Sequence, residues 1–153
     1  MSLAASIDVK LVKNKDSKFS IIEIIENLID NGWNMNDNGV ITFLPLNDDD
    51  SYNWQRESIS KEGAMSLLRK KELNNEVVGI ALTWKNTNTG GTFLFWNYSS
   101  FSLNISINRK VLKIDEANTT ITDVNWYLSR LLPILNRGNF RVESFSYEEN
   151  YFG

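Results

Sequence analysis

The chain of 153 residues contains no cysteine and no histidine. Without cysteine it can form no disulfide, offers no thiolate nucleophile and cannot hold a metal through sulfur. Without histidine it lacks the side chain that most often titrates near neutral pH, which excludes Ser-His-Asp and Cys-His catalysis and His-ligated zinc sites. The two absences together remove most of the common catalytic and zinc-binding arrangements.

Long apolar runs are also missing. No stretch reaches the roughly 18 residues that a membrane-spanning helix needs, and the first residues lack the basic start and apolar stretch of a secretory signal. We therefore expect a cytoplasmic protein without membrane association. Residues 1–5 are expected to be disordered or a cloning remnant, since Ser2 and Leu3 resemble one.

The formal net charge of −3 disfavours nucleic-acid binding, which requires a basic surface. It favours a protein partner with a basic surface, because long-range charge steers encounter. The aromatic residues within 84–98 lack the basic and glycine pattern of RNA-binding sheets, and we assign them to packing. No phosphate-binding loop, dinucleotide fingerprint or hydrolase elbow occurs, so no cofactor is expected.

The sequence predicts one globular domain over residues 1–153, because it has only two prolines and no Gly/Ser-rich linker or internal repeat. Three segments show helical signals. Residues 19–33 open with a capping box at Ser20 and Glu23. Residues 60–73 begin at a capping serine, and residues 122–137 carry an apolar stripe after Thr122.

Six segments show strand signals, namely residues 7–12, 39–46, 77–85, 92–98, 101–112 and 140–147. Residues 101–107 alternate strictly between apolar and polar side chains, which is typical of an antiparallel sheet with one buried face. The fold class expected is therefore α+β, with a single, mainly antiparallel sheet of about six strands and about three helices packed on one face. Seven apolar residues are predicted to form its core: Ile21, Ile25, Leu28, Leu103, Ile105, Leu128 and Leu131.

Residues 48–57 stand out as an acidic loop that also contains aromatic residues. Carboxylates close together can hold a hard metal ion or act as a general acid and base. Aromatic residues among charges also resemble an interface anchor with a polar rim. A third interpretation is an ordinary solvated loop, with the tryptophan folded back over one edge of the core. The residues predicted to bind a partner are Asp48, Asp49, Asp50, Tyr52, Trp54 and Glu57.

The short, acidic, aromatic-rich chain without catalytic histidine or cysteine resembles the small immunity proteins of bacterial toxin systems. The resemblance concerns general character, and no motif carries a functional residue across. It implies a non-enzymatic protein-binding domain that neutralises a toxin by covering its surface. Two alternatives stay open: a small carboxylate-based or metal-assisted hydrolase that uses residues 48–57, and an accessory subunit of a larger assembly.

Overall fold

A computed structural model of the chain describes residues 2–14, 20–137 and 139–152. Ten strands and three helices lie within these ranges. In chain order they are β1 Ser2–Lys13, α1 Ile21–Asp30, β2 Trp33–Asn34, β3 Ile41–Phe43, β4 Gln55–Glu57, α2 Lys61–Leu73, β5 Val78–Trp84, β6 Gly90–Asn97, β7 Ser100–Ile107, β8 Val111–Lys113, β9 Thr120–Thr122, α3 Val124–Leu135 and β10 Phe140–Phe152.

The main sheet has eight strands in the order β10-β1-β7-β6-β5-β3-β4, with β2 paired beside β5. All its strand pairs are antiparallel, and β8 and β9 form a separate two-stranded sheet. The predicted α+β class, the three helices and the antiparallel pairing are confirmed. The prediction of a single sheet with about six strands is wrong, because β2 and β4 are two and three residues long and too short to show a strand period.

Local capping signals set the helix starts. The Ser20 hydroxyl accepts a hydrogen bond from the Glu23 N–H at 3.2 Å, as the capping box predicts. The Glu72 carboxylate from α2 also accepts from the Ile21 N–H at 2.6 Å, so a second helix helps to satisfy the free donors of α1. Helix α1 ends at Asp30 rather than at residue 33, because Trp33 leaves it to pair with Trp84 of β5. Phe19, the predicted hydrophobic staple, lies outside the described residues.

The N-cap of helix α3 lies one residue later than the predicted Thr122. Its N-cap is Asp123, whose carboxylate accepts from the Trp126 N–H at 3.2 Å, while Thr122 ends β9. The helix includes Pro133 and ends at Leu135, two residues before the predicted end at residue 137.

The main core lies between the three helices and one face of the large sheet. Ile7, Val9 and Leu103 project from that face and are fully buried in the same cluster as residues of α1, α2 and α3. Six of the seven predicted core residues are buried, and Leu128 is half-buried against the same cluster. The alternation in β7 therefore identified the buried face correctly.

The opposite face of the sheet carries mostly short polar side chains. Ser102 on this face lies opposite Asp8 of β1 and donates a hydrogen bond to its carboxylate. At the other end of the face is a small second apolar cluster, made by Leu44, Val77, Leu94 and Trp54. This face therefore offers the polar sheet surface on which a cleft can form.

Strand β1 lies inside the sheet, between β7 and β10. Residues 2–5, set aside on sequence grounds as disordered or a cloning remnant, lie in this strand, and Ala5 is buried. No helix in the described ranges combines the length and the apolar character needed to cross a membrane.

Candidate functional site

The buried Asp48 side chain fixes the backbone conformation of the predicted acidic loop. The side chain is only 6% exposed. One carboxylate oxygen accepts from the N–H groups of Ser51 and Tyr52 at 3.0 and 2.9 Å, and the other accepts from Asn53 at 2.7 Å. Burial alone would raise the pKa of Asp48, but these three amide bonds outweigh it and lower the pKa below its usual value.

Asp49 and Lys71 tie the same loop to the rest of the fold. The Asp49 carboxylate accepts from the Val77 N–H at 2.7 Å. Lys71 of α2 is fully buried, and its Nζ donates to the carbonyls of Pro45 and Asp48 at 2.6 and 2.8 Å and to Glu76 Oε1 at 2.9 Å. All three N–H donors of this buried ammonium group make hydrogen bonds, so Lys71 has a structural role in supporting the loop.

The remaining predicted partner-binding residues differ in what they present. Asp50 and Glu57 are exposed. Tyr52 is 44% exposed and has a left-handed backbone with a φ of 53°, which is unusual for an aromatic residue. Trp54 is half-buried over Gly79, where an added Cβ would lie 2.8 Å from its ring. The loop therefore presents Asp49, Asp50, Tyr52 and Glu57, whereas Trp54 covers the second apolar cluster.

Another interpretation of the acidic loop is that its carboxylates hold a metal ion. Among the residues that the structure describes, no three carboxylates come together in a way that could hold a metal ion. Both oxygens of Asp48 are already engaged by backbone amides. The exposed carboxylates of the loop are those of Asp49, Asp50 and Glu57.

A polar cleft of about 510 Å³ opens on the polar face of the sheet, next to β4. Thr42, Ala81 and Thr83 line its base, and residues 34–38 and 85–88 line its sides. Arg56 enters from β4, where it pairs with Thr42 of β3. Asparagine is the commonest side chain in the lining, at positions 34, 36, 38, 86 and 88.

The second prominent feature is the hairpin made by β8, residues 114–119 and β9, which we call the arm. Leu112 pairs with Ile121, and the Ile114 N–H donates to the Thr119 carbonyl, so these apolar side chains share one face. Leu112, Ile114 and Ile121 are 48%, 54% and 39% exposed. The other face contains Thr122, which is buried, together with Val111, which is 39% exposed, and the exposed Lys113. The arm therefore presents an outward apolar strip of Leu112, Ile114 and Ile121.

A hydrogen-bond network fixes the base of the arm to β10. The Glu149 carboxylate accepts from the Thr122 N–H at 3.1 Å and from the hydroxyls of Tyr147 and Tyr151. Burial opposes ionisation of Glu149, but hydrogen bonds from Thr122 and the two tyrosines prevail and lower its pKa to about 2. Burial, followed by the hydrogen bond to Glu149, raises the pKa of Tyr147 to about 12.

Further bonds hold the arm to α3. The Arg109 guanidinium donates to the Thr122 hydroxyl at 2.8 Å, and the Lys110 N–H donates to the hydroxyl of the fully buried Tyr127 at 2.9 Å. The Asp123 N–H in turn donates to the Lys110 carbonyl at 2.9 Å. The base of the arm is therefore held from two sides.

Sequence reasoning did not find either the cleft or the arm. The sequence predicts one strand over residues 101–112, whereas the structure ends β7 at Ile107 and places Val111 and Leu112 in β8. The strand stops before Asn108, whose backbone has a left-handed φ of 47°. Asparagine tolerates this conformation better than most residues, so its position in the sequence is a signal for the end of the strand. The cleft is built from segments that are far apart in sequence, so no local pattern brings its asparagines together.

Comparisons with protein-family models, with curated proteins and with solved structures found no match to this chain.

Proposed function

We propose that this protein is a non-enzymatic protein-binding domain that meets its partner through the arm. The observation that carries the proposal is the outward apolar strip. In a hairpin at the edge of a domain, the apolar face normally turns toward the core and the polar face toward water. Here three apolar residues, Leu112, Ile114 and Ile121, turn outward on one face, whereas on the other face Thr122 is buried and Val111 is 39% exposed.

Exposed apolar side chains that stand together mark interaction sites more often than isolated ones do. The arm is a two-stranded sheet of its own, and such a hairpin gains little stability without a surface to pack against. A partner that covers the strip would supply that surface.

The arm is held in place before binding. The bonds from Glu149 to Thr122 and from Lys110 to Tyr127 fix its base, so little conformational entropy remains to be lost on association. A rigid apolar strip of this kind is suited to occupying a groove on another protein.

Charge indicates the chemistry of that partner. Asp115 and Glu116 lie at the tip, immediately beyond Ile114, and both are exposed. An apolar groove bordered by lysine or arginine would match the strip and its acidic tip together. Neutralisation of a toxin with a basic active-site rim is the version of this function that the resemblance to immunity proteins favours.

The experiment compares two matched sets of substitutions. Ile114→Ser with Ile121→Ser removes the strip, and Leu73→Ser removes an even more exposed leucine, 81% exposed, on α2. A partner captured from the source organism and then purified should bind the wild type and Leu73→Ser alike in surface-plasmon measurements. The strip variant should bind about tenfold or more weakly, as for the loss of an apolar anchor. Equal binding by all three proteins would refute the proposal.

Sedimentation velocity on the same three proteins distinguishes a foreign partner from a second copy of the chain. A monomeric wild type agrees with the proposal. A dimer that dissociates only in the strip variant would contradict it, because the strip would then be occupied by the protein itself.

The acidic loop remains a separate proposed binding surface. It lies beside β4, at the opposite sheet edge from β10, and the six strand spacings between these edges amount to roughly 29 Å. Asp50→Asn with Glu57→Gln neutralises two exposed charges without removing the structural carboxylates of Asp48 and Asp49. If the loop meets a basic partner, this variant should slow association and flatten its salt dependence. Unchanged association rates would exclude the loop from the interface.

A further inference from the structure

The polar cleft beside β4 differs from the other surfaces of the protein in its chemistry. Its lining includes five asparagines and the threonines at positions 42, 83 and 87. Its volume of about 510 Å³ falls within the roughly 300–1,000 Å³ of small-molecule sites. No large side chain occupies the base, which consists of Thr42, Ala81 and Thr83 together with Ile107 at one end.

The hydrogen bonds of the cleft wall show which atoms are free to bind a ligand. The Asn34 side-chain oxygen accepts from the Asn36 N–H at 3.0 Å, and the Asn36 side-chain oxygen accepts from the Gly39 N–H at 2.6 Å. A backbone N–H can only donate, so these bonds fix the orientation of both amides. The two NH₂ groups are left as donors at the cleft wall.

The opposite wall offers groups that both donate and accept. The side chains of Asn86 and Asn88 are exposed, and neither hydrogen-bonds to another residue in the part of the chain that the structure describes. A side-chain amide has two donor hydrogens and an acceptor oxygen. The cleft therefore presents donors on one wall and mixed donors and acceptors on the other.

The cleft is lined by two cationic residues, Arg56 and Lys85, and one anionic residue, Asp37. Arg56 lies 3.6 Å from the Asp37 carboxylate, and both side chains are more than 60% exposed. Lys85 Nζ lies 4.9 Å from the centroid of the Trp84 ring, over the face of that ring. A phosphate would meet the Asp37 carboxylate, and a metal cation would find only that one carboxylate. The lining suits a neutral ligand.

We propose that this cleft binds a neutral polyhydroxylated ligand, namely the sugar units of an uncharged saccharide. Each sugar hydroxyl donates one hydrogen bond and accepts others, which matches the asparagine amides. Of two adjacent sugar hydroxyls, one can accept a hydrogen bond from the Arg56 guanidinium and the other can donate one to the Asp37 carboxylate beside it. The Ile107 side chain and the methyl groups of Ala81 and the threonines offer apolar surface to the C–H face of a sugar ring.

The test is an NMR titration of ¹⁵N-labelled protein with neutral oligosaccharides (maltotriose, cellotriose, chitotriose and lactose) and with glucose 6-phosphate and citrate as anionic probes. We expect at least one neutral oligosaccharide to shift the side-chain amide signals of Asn34 and Asn36 in a saturable way. Stronger binding of either anionic probe at the same signals would overturn the neutral-ligand proposal. Absence of a saturable shift with every oligosaccharide would overturn it as well.

Three variants locate the binding. Ala81→Leu fills the base of the cleft, and Asn86→Ala with Asn88→Ala strips one wall. Asn125→Ala is the matched control, because Asn125 is an exposed asparagine on α3 outside the cleft. Affinity should fall about tenfold or more in the first two, through a clash and through lost hydrogen bonds, and should stay unchanged in the third. Equal affinity in all variants that retain the wild-type unfolding midpoint would show that the saccharide binds elsewhere.

Discussion

Replacing the buried Lys71 by Met tests how much the lysine ammonium group stabilises the acidic loop that it supports. Methionine keeps the length of the apolar stem but removes the ammonium. Two backbone carbonyls, those of Pro45 and Asp48, then lose the donor that they share. The Glu76 carboxylate loses its ion-pair partner at 2.9 Å.

The expected loss of stability is about 3 kcal/mol. Removing one partner of a buried ion pair costs about 3–5 kcal/mol. The lower end applies, because the Glu76 side chain retains 11% exposure and still accepts from the Asn47 N–H at 2.8 Å. Relief of the buried ammonium from desolvation also offsets part of the loss.

The measurement is urea unfolding followed by tryptophan fluorescence, with Lys70→Met as the matched control. Lys70 is the exposed neighbour on the same helix, and its replacement should change stability by less than about 0.5 kcal/mol. Amide hydrogen exchange should accelerate at Ser51, Tyr52 and Asn53, which depend on the loop that Lys71 supports. Adding Glu76→Gln to Lys71→Met should recover about 1 kcal/mol, because the unpaired charge is removed. If the stability of Lys71→Met lies within 1 kcal/mol of that of the Lys70→Met control, this account of Lys71 is refuted.

Two further predictions concern stability. The pKa of Glu149 falls from 4.5 to about 2 on folding. The stabilisation that its ionised form gives the folded state is therefore present above pH 4.5 and is lost as the pH drops toward 2. Glu149→Gln should flatten the pH dependence of urea unfolding between these two values. The Tyr147 pKa rises from 10.0 to about 12, so its contribution is present below pH 10 and is lost between pH 10 and 12, and Tyr147→Phe should remove that alkaline dependence. In the core, Ile105→Ala should cost about 2–5 kcal/mol and Leu128→Ala should fall at the low end of that range, since Leu128 is only half-buried; losses under 1 kcal/mol at both positions would contradict the assigned faces.

The helix boundaries show which features of the fold can be predicted from neighbouring residues alone. Helix α2 spans Lys61–Leu73 with Ser60 as its N-cap, as the sequence predicts, because the capping hydroxyl and the charges at the two ends act within one turn. Helix α1 ends three residues earlier than predicted, since the pairing of Trp33 with Trp84 is a long-range contact. A local signal acts at the same point, because Asn31 is the C-cap and Gly32 has a φ of 126°, which no helix residue adopts.

The candidate sites depend on long-range contacts almost entirely. Nothing in the sequence near Asp48 shows that a lysine more than twenty residues away reaches its carbonyl. The cleft likewise draws Asn34, Arg56 and Thr83 from three separate strands. An acidic cluster is easy to see in a sequence, but which of its carboxylates face water is decided by the hydrogen bonds that the folded loop requires.

The interior position of β1 has a consequence for how the chain folds during synthesis. Its neighbours are β7, where Ser6 pairs with Asn104, and β10, where Ile7 pairs with Tyr147. At about 5–20 residues per second, roughly 5–20 s pass between the emergence of β1 and that of β7, and β10 follows later still. Throughout that interval an alternating apolar strand has no partner, which exposes the nascent chain to aggregation and makes closure of the sheet slow. Yield in a cell should therefore depend on translation speed and chaperone supply as well as on the free energy of the finished fold.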